Sequence, residues 1–240
     1  MPRFSLVIPA YNEERLLPRL LDSVGTARRA YGEADAIEVI VADNQSTDHT
    51  AQIAAMHGCR VVAVEKRVIA AARNGGAQAA RGEIVCFVDA DSQLHPQTFI
   101  EIDKALATGR CIGGASGVRM ERWSLGIAVT YALIVPFVWL MRMDTGVVFC
   151  RKADFDAVGG YDESRPVAED VAFLWALRRL GRTRGQRLMR TTRAKALGST
   201  RKFDEFGDWH YFRIIKEGLP MLWHRDGTTF TDRYWYKPKR

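Results

Sequence analysis

The stretch "EIVCFVDADSQLHP" occupies Glu83–Pro96, and its reading decides the fold. An apolar run from Ile84 to Val88 ends on two aspartates, Asp89 and Asp91, separated only by Ala90. A short apolar run of this kind predicts a buried strand over Ile84–Asp89. Alternation along a strand puts residues i and i+2 on one side. Two like charges held together are unfavourable unless something positive lies between them. A divalent metal meets that need, and so does a nearby Arg or Lys.

Outward from this run, strand and helix patterns alternate. "FSLVIP" (Phe4–Pro9), "IEVIVAD" (Ile37–Asp43) and "RVVAV" (Arg60–Val64) read as strands. From Glu13 to about Ala30, Leu16, Leu17, Leu20, Leu21 and Val24 recur at helical spacing. Ser46, Thr47 and Asp48 offer caps before "TAQIAAMHG", with Gly58 as a stop. Ala70–Ala80 and Pro96–Ala107 read as helices. Strand–helix alternation with short connections implies a parallel sheet covered on both faces. Ligands of such sheets bind beyond the carboxyl ends of the strands. "PAYNEE", "ADNQSTD" and "DADS" all fall at that edge.

The first strand is followed by no GxGxxG, and the chain has no GxxxxGK[ST], so the common dinucleotide and P-loop sites are disfavoured. "GGASG" (Gly113–Gly117) reads as a loop or strand edge. "DTGVVFCRKADFDAVGGYDE" (Asp144–Glu163) predicts a short strand, a short helix and a Gly-Gly turn. "AEDVAFLWALRRLG" (Ala168–Gly181) predicts a helix, acidic at its start and ended by Gly181, with Val171, Leu174, Trp175 and Leu177/Arg178 along one stripe.

The 240 residues, 47% hydrophobic, suit one or two globular domains. A net charge of +7 points to anionic partners: nucleotide phosphates, nucleic acid or an acidic membrane face. No nucleic-acid-binding module is recognised. Cys59, Cys86, Cys111 and Cys150 form no metal or disulfide pattern and are expected reduced. "MPRFSLVIPAYNEE" does not read as a signal peptide, and the chain is expected in the cytoplasm.

"VIPAYNEE", "VIVADNQSTDHT", "AARNGGAQAARGEIVCFVDADS" and "GGYDE…AEDVAFLWAL", in this order from roughly Phe4 to Leu180, together resemble family 2 glycosyltransferases with the GT-A fold. The resemblance implies a mostly parallel α/β sheet flanked by helices. It also implies transfer of a sugar, with inversion, from a nucleotide-diphosphate donor to an acceptor hydroxyl or phosphate. Three segments follow: 1–110 as the nucleotide-sugar-binding half, 111–200 as the acceptor and catalytic half, and 201–240 as a C-terminal loop with a basic, aromatic tail.

By the same resemblance, Asp89 and Asp91 are the DxD motif. Asp91, with Asp89, is expected to hold Mg²⁺ or Mn²⁺ bridging the donor phosphates, and Asp89 with Ala90 to face the nucleoside. Hard oxygen ligands suit either ion. Pro9, Ala10, Tyr11, Asn12 and Glu13 match the loop after the first strand, with Tyr11 as a stacking platform for the base. Asp43 stands where an acid reads the base or ribose. Asn44 replaces a frequent second Asp, and is expected either to alter base preference or, with Ser46 and Asp48, to shape a turn. The base is expected to be uracil or guanine. Arg73, in "ARNGG", is a donor-phosphate ligand or a structural Arg at a helix start. Asp170 is expected to be the general base, with Glu169 beside it; acids suit the positive end of a helix. Arg201 and Lys202, in "STRKFDEFGDW" (Ser199–Trp209), where relatives carry an acceptor-side or mobile loop, are expected to touch the diphosphate. His210 is left outside the metal set. The absence of QxxRW implies single-sugar transfer.

"WSLGIAVTYALIVPFVWLM" (Trp123–Met141) has no charge. A single membrane crossing there would put Asp91 and Asp170 on opposite sides. The stretch is therefore expected to be a buried core helix, or a helix or hairpin at a membrane interface broken at Pro136, with Trp123, Tyr131 and Trp139 as interface aromatics. Arg178–Lys195, with eight cations and no acid, and the tail "DRYWYKPKR" suit anionic lipid heads or a phosphate-bearing acceptor. A peripheral place on the cytoplasmic membrane face and a lipid-linked acceptor follow. The competing readings are a sugar nucleotidyltransferase, which would open with a Gly-rich loop, and a degenerate relative acting as a membrane-bound scaffold.

Overall fold

The protein is seen in a computed structural model that describes residues 1–141, 144, 146–165 and 168–209. His210 and the tail Asp232–Arg240 lie outside the described residues, as does the side chain of Trp139.

The elements run β1 (Phe4–Ala10), α1 (Leu17–Tyr31), β2 (Ile37–Asp43), α2 (Thr50–Met56), β3 (Arg60–Ala63), α3 (Ile69–Ala79), β4 (Ile84–Phe87) and α4 (Thr98–Ala107). They continue as β5 (Cys111–Met120), α5 (Leu125–Met141), β6 (Val148–Arg151), α6 (Lys152–Ala157), α7 (Glu169–Thr183), β7 (Arg187–Gly198) and α8 (Arg201–Phe206). One seven-stranded sheet takes the order β3-β2-β1-β4-β6-β5-β7. β6 runs antiparallel to both neighbours, and the remaining pairs are parallel.

Every residue of β1 is buried, as expected for a strand with helices on both faces. Phe4, Leu6 and Ile8 join the layer under α1 and α4, where Leu17, Leu20, Val24, Phe99 and Ile102 pack. Val7 joins the opposite layer, with Phe87, Phe155, Tyr161, Phe173 and Leu177. In α3, a Cβ on Gly76 would stand 2.3 Å from Val7 Cγ1 and 3.4 Å from Ala42 Cβ. The missing side chain lets the helix settle onto β1 and β2. Gly76→Ala is expected to destabilise the fold by about 1–2 kcal/mol, because overpacking outweighs Ala's better helix propensity. A urea midpoint at or above that of wild type would refute this.

The second half departs from the sequence expectations. "GGASG" is no loop: it lies within β5, hydrogen-bonded on both sides. Its glycines are needed for close approach, since a Cβ on Gly114 would stand 1.7 Å from the carbonyl oxygen of Met189. The C-terminal part of the basic run forms a twelve-residue strand, β7. Leu188, Thr191, Ala194 and Ala196 turn inward there while Arg193 and Lys195 face water. Helix α7 does not stop at Gly181, which is buried against Ile112, but continues to Thr183. Its buried residues include Phe173, Leu174 and Leu177, and Trp175 is 50% exposed, outside the stripe expected for it. Helix α5 is not broken at Pro136, and it is not a core helix, because Leu125 and Leu133 are exposed. Among the described residues, no helix is long and apolar enough to cross a membrane. "STRKFDEFGDW" contains the short helix α8, pinned by Arg122 to Asp204 (2.5 Å) and Asp208 (2.7 Å).

Candidate active site

Strand β4 ends at Phe87, so Asp89 and Asp91 stand in the turn beyond it, where the Ser92 N–H donates to the Asp89 carbonyl (3.0 Å). Each carboxylate meets a guanidinium. Arg73, on α3 and 7% exposed, donates from Nη2 to Asp89 (3.0 Å) and from Nη1 to Glu169 (2.5 Å). Its guanidinium also lies 5.1 Å from the ring centre of Tyr161. One Arg thus joins the DxD turn to the first turn of α7. Arg73 lies inside α3, past its first turn. Burial raises the Glu169 carboxyl pKa, and Arg73 opposes that shift. Asp170, next in the helix, accepts from the Val171 N–H (2.8 Å).

Arg201 makes the second junction. It grips both carboxylate oxygens of Glu13 (2.7 and 3.1 Å) and reaches Asp91 (3.3 Å). Burial, reinforced by Asp89, pushes the Asp91 carboxyl up to about 6, with Arg201 opposing. Burial brings the Lys202 ammonium down to about 8, against the pull of Asp91 and Asp89. A short antiparallel bridge sets this geometry: Gln93 and Leu197 exchange backbone hydrogen bonds of 2.8 and 2.9 Å, which places the start of α8 over the DxD turn.

The ends of β1 and β2 are zipped together. Pro9 and Ala10 belong to β1 and pair with Ala42 and Asp43. Asn12 adopts the left-handed conformation (φ 53°), which Asn tolerates better than most residues. Its N–H donates to Ser46 Oγ (3.0 Å), and its side-chain oxygen accepts from the Thr47 N–H (2.8 Å). Asp43 accepts from the Ser46 N–H (3.3 Å). Buried Asn44 donates to the carbonyls of Val64 (3.0 Å) and Lys66 (2.8 Å), so its amide holds the segment after β3. Tyr11 has the Arg67 guanidinium 4.5 Å from its ring centre, and Arg67 donates to its hydroxyl. One ring face expected for a base is therefore already covered.

The site thus forms two charged knots, Arg73–Asp89–Glu169 and Arg201–Glu13–Asp91, with Tyr11 and Asp43 on the neighbouring strand ends. Sequence reasoning missed Arg67, Gln93 and Tyr161. It also missed what Asn74 does: its amide clamps the Gly-Gly turn through Tyr161 (2.8 and 2.9 Å) and Glu163 (2.9 Å). The "RN" before "GG" at Arg73–Asn74 was the available signal. Arg73→Met leaves Glu169 buried without its cation and is expected to destabilise the protein by about 3–5 kcal/mol in urea unfolding. A loss below about 1 kcal/mol would show that the pair is not held in solution.

Acid-bearing loops at the carboxyl edge of a mostly parallel sheet, one strand reversed, define the class as GT-A-type. A family model described as glycosyl transferase family 2 matches residues 5–126, and the chain belongs to that family. It is similar to an uncharacterized glycosyltransferase of Mycobacterium tuberculosis, 37% identical over 112 residues, 44% of this chain and 47% of the relative. It is also similar to the undecaprenyl-phosphate 4-deoxy-4-formamido-L-arabinose transferase of Pseudomonas paraeruginosa, 36% identical over 123 residues, 46% of this chain and 34% of the relative. The chain spans less than half the length of these curated relatives. Among solved structures it resembles a mannosyltransferase of Pyrobaculum calidifontis in complex with GDP-Man and Mn²⁺. That match has a TM-score of 0.61 and 25% identity, over 75% of this chain and 53% of the other. Glucosyl-3-phosphoglycerate synthase of M. tuberculosis, with Mn²⁺, UDP and glucosyl-3-phosphoglycerate, matches with a TM-score of 0.58 and 23% identity, over 86% and 75%.

Proposed function

We propose that the chain transfers a single sugar, with inversion, from a UDP- or GDP-sugar to an acceptor borne on a lipid. The observation that carries this reading is the meeting of four distant motifs through Arg73 and Arg201 at one sheet edge. The lipid-linked acceptor is supported by the similarity to an undecaprenyl-phosphate transferase.

Mg²⁺ or Mn²⁺ fits the residues present. Asp91 and Asp89 are hard oxygen ligands, and Asp91 is a half-buried carboxylate beside a like charge, a condition that a cation relieves. Among the described residues, no group of three or more acids, His or Cys could hold a metal ion. The donor phosphates would complete the coordination, as is usual for Mg²⁺. When bound, the ion offsets charge on the departing diphosphate. Arg201 and Lys202 stand beside Asp91 to meet the same charge. Asp170 takes the proton of an acceptor hydroxyl as its oxygen attacks the anomeric carbon. The bond from that carbon to the donor phosphate oxygen breaks, and its electron pair leaves with the nucleoside diphosphate. Glu169, locked to Arg73, holds the helix start that presents Asp170.

The test is the melting temperature against UDP, GDP, dTDP and CDP, with and without Mn²⁺. A ligand of the native state raises it by mass action. UDP or GDP is expected to stabilise, and more so with metal. Stabilisation by none of the four would favour a non-catalytic scaffold.

A further inference from the structure

Helix α5 carries no charged residue, and the structure shows which side of it meets water. Positions 125, 128, 132, 133 and 136 are exposed, whereas Gly126, Ile127 and Thr130 are buried. That spacing is a single stripe along a helix. The stripe reads Leu125, Ala128, Ala132, Leu133, Pro136, with no polar side chain, and its leucines are 75% and 63% exposed. A surface helix of a globular protein turns polar residues outward; this one does the reverse. Trp123, also exposed, stands edge-on to Tyr131 with ring centres 5.1 Å apart. Exposed Trp209 follows Asp208, whose backbone packs against Gly126.

Charge selects what covers the stripe. The Tyr131 hydroxyl donates to the Val118 carbonyl (2.7 Å), so α5 lies against the end of β5. Arg119, Arg193 and Lys195 are exposed on that end of β5 and the adjacent β7, and the Lys195 side chain passes over Gly117. Three neighbouring acids are matched internally: Asp144 pairs with Arg190, and Asp204 and Asp208 pair with Arg122. An apolar stripe bordered by surplus cations is the chemistry of an anionic lipid interface. The seventeen residues of α5 span about 25 Å, against about 30 Å of bilayer hydrocarbon, and among the described residues no helix is long and apolar enough to cross a membrane, so α5 fits lying in the interface.

We propose that this face docks on an anionic bilayer with α5 in the plane of the interface. Its stripe enters the boundary between headgroups and acyl chains, and Arg119, Arg193 and Lys195 meet acidic headgroups. The docking rests on the transferase reading only for its purpose, which is to bring a lipid-borne acceptor to the site.

The experiment is flotation of the full chain with vesicles of phosphatidylcholine alone, or mixed equally with phosphatidylglycerol. The chain is expected to rise with the anionic vesicles and to stay below with the neutral ones. Leu125→Glu combined with Leu133→Glu should cut the bound fraction about ten-fold or more, with the melting temperature unchanged. Lys195→Glu should weaken binding about five-fold or more. Wild type that ignores anionic vesicles, or a double variant that floats as well as wild type, would overturn the proposal. So would a dimer in sedimentation velocity that the double variant dissolves, because the stripe would then belong to a second copy. Nucleotide stabilisation, read on the same samples, separates the two readings: a chain that floats but binds no nucleotide keeps the docking face and loses the transferase.

Discussion

Asp91→Asn is expected to lower sugar transfer about a thousandfold and to abolish the Mn²⁺-dependent part of nucleotide stabilisation. The magnitude follows from the chemistry. The leaving diphosphate gains charge as its bond to the sugar breaks, and the amide is a far weaker ligand for the ion that offsets it. The fold itself should persist, because Arg201 keeps both of its hydrogen bonds to Glu13 and the cap over the site stays anchored. Metal-free nucleotide binding should persist for the same reason. If the variant retained full turnover, or kept its metal-dependent stabilisation, Asp91 would not be the metal ligand and the DxD reading would fail. Isothermal titration with Mn²⁺ and UDP or GDP gives the binding half of the answer without any need for the acceptor.

Asp170→Asn should leave donor binding intact and reduce turnover between about a hundredfold and ten-thousandfold, the range a general base contributes. The loss should fall on kcat, since Asp170 makes no hydrogen bond or ion pair to the two charged knots in the contacts described: its carboxylate accepts from the Val171 N–H at the start of α7. The experiment also reads the acceptor. A hydroxyl needs its proton removed, whereas a phosphate reaches the site already ionised. A loss below about ten-fold would therefore take Asp170 out of the role of base and favour an acceptor that attacks as an anion.

Much of this was legible in the amino-acid sequence, though unevenly. The first four strands announce themselves because each is a short apolar run closed by polar turn residues, and their loops land at the sheet edge where parallel topology requires. β5 was hidden by its own glycines, residues that signal loops in isolation; only the carbonyl of Met189, some seventy-five residues away, shows why no side chain fits at Gly114. β7 was hidden by its cations, because "RLMRTTRAKALG" looks like a charge run until Leu188, Thr191, Ala194 and Ala196 are seen to turn inward. In the site, the acids and the two arginines were named from the motifs, but which pairs with which was not. Arg73 and Glu169 stand 96 positions apart, and Arg201 and Glu13 stand 188 apart, so those pairings exist only in the folded sheet. Asn44 shows the limit from the other side: its identity left base preference and turn-shaping both open, and only the fold shows its buried amide holding two backbone carbonyls.

The strand order has a consequence for how the protein is made. Strands β1 to β4 pair with one another using nothing beyond residue 87, and α4 closes over them by residue 107. A chain released N-terminus first can therefore finish this part of the sheet early in synthesis. The free edge of β4 then waits for β6, which begins at Val148, and β5 waits for β7, which ends at Gly198. Arg201, three residues later, reaches Glu13 and Asp91 last of all. A nascent or truncated chain that ends before residue 187 thus presents an unpaired strand edge beside a half-built site, the interval in which edge-to-edge association is most favoured. The same guanidinium that joins Glu13 to Asp91 also marks completion of the sheet.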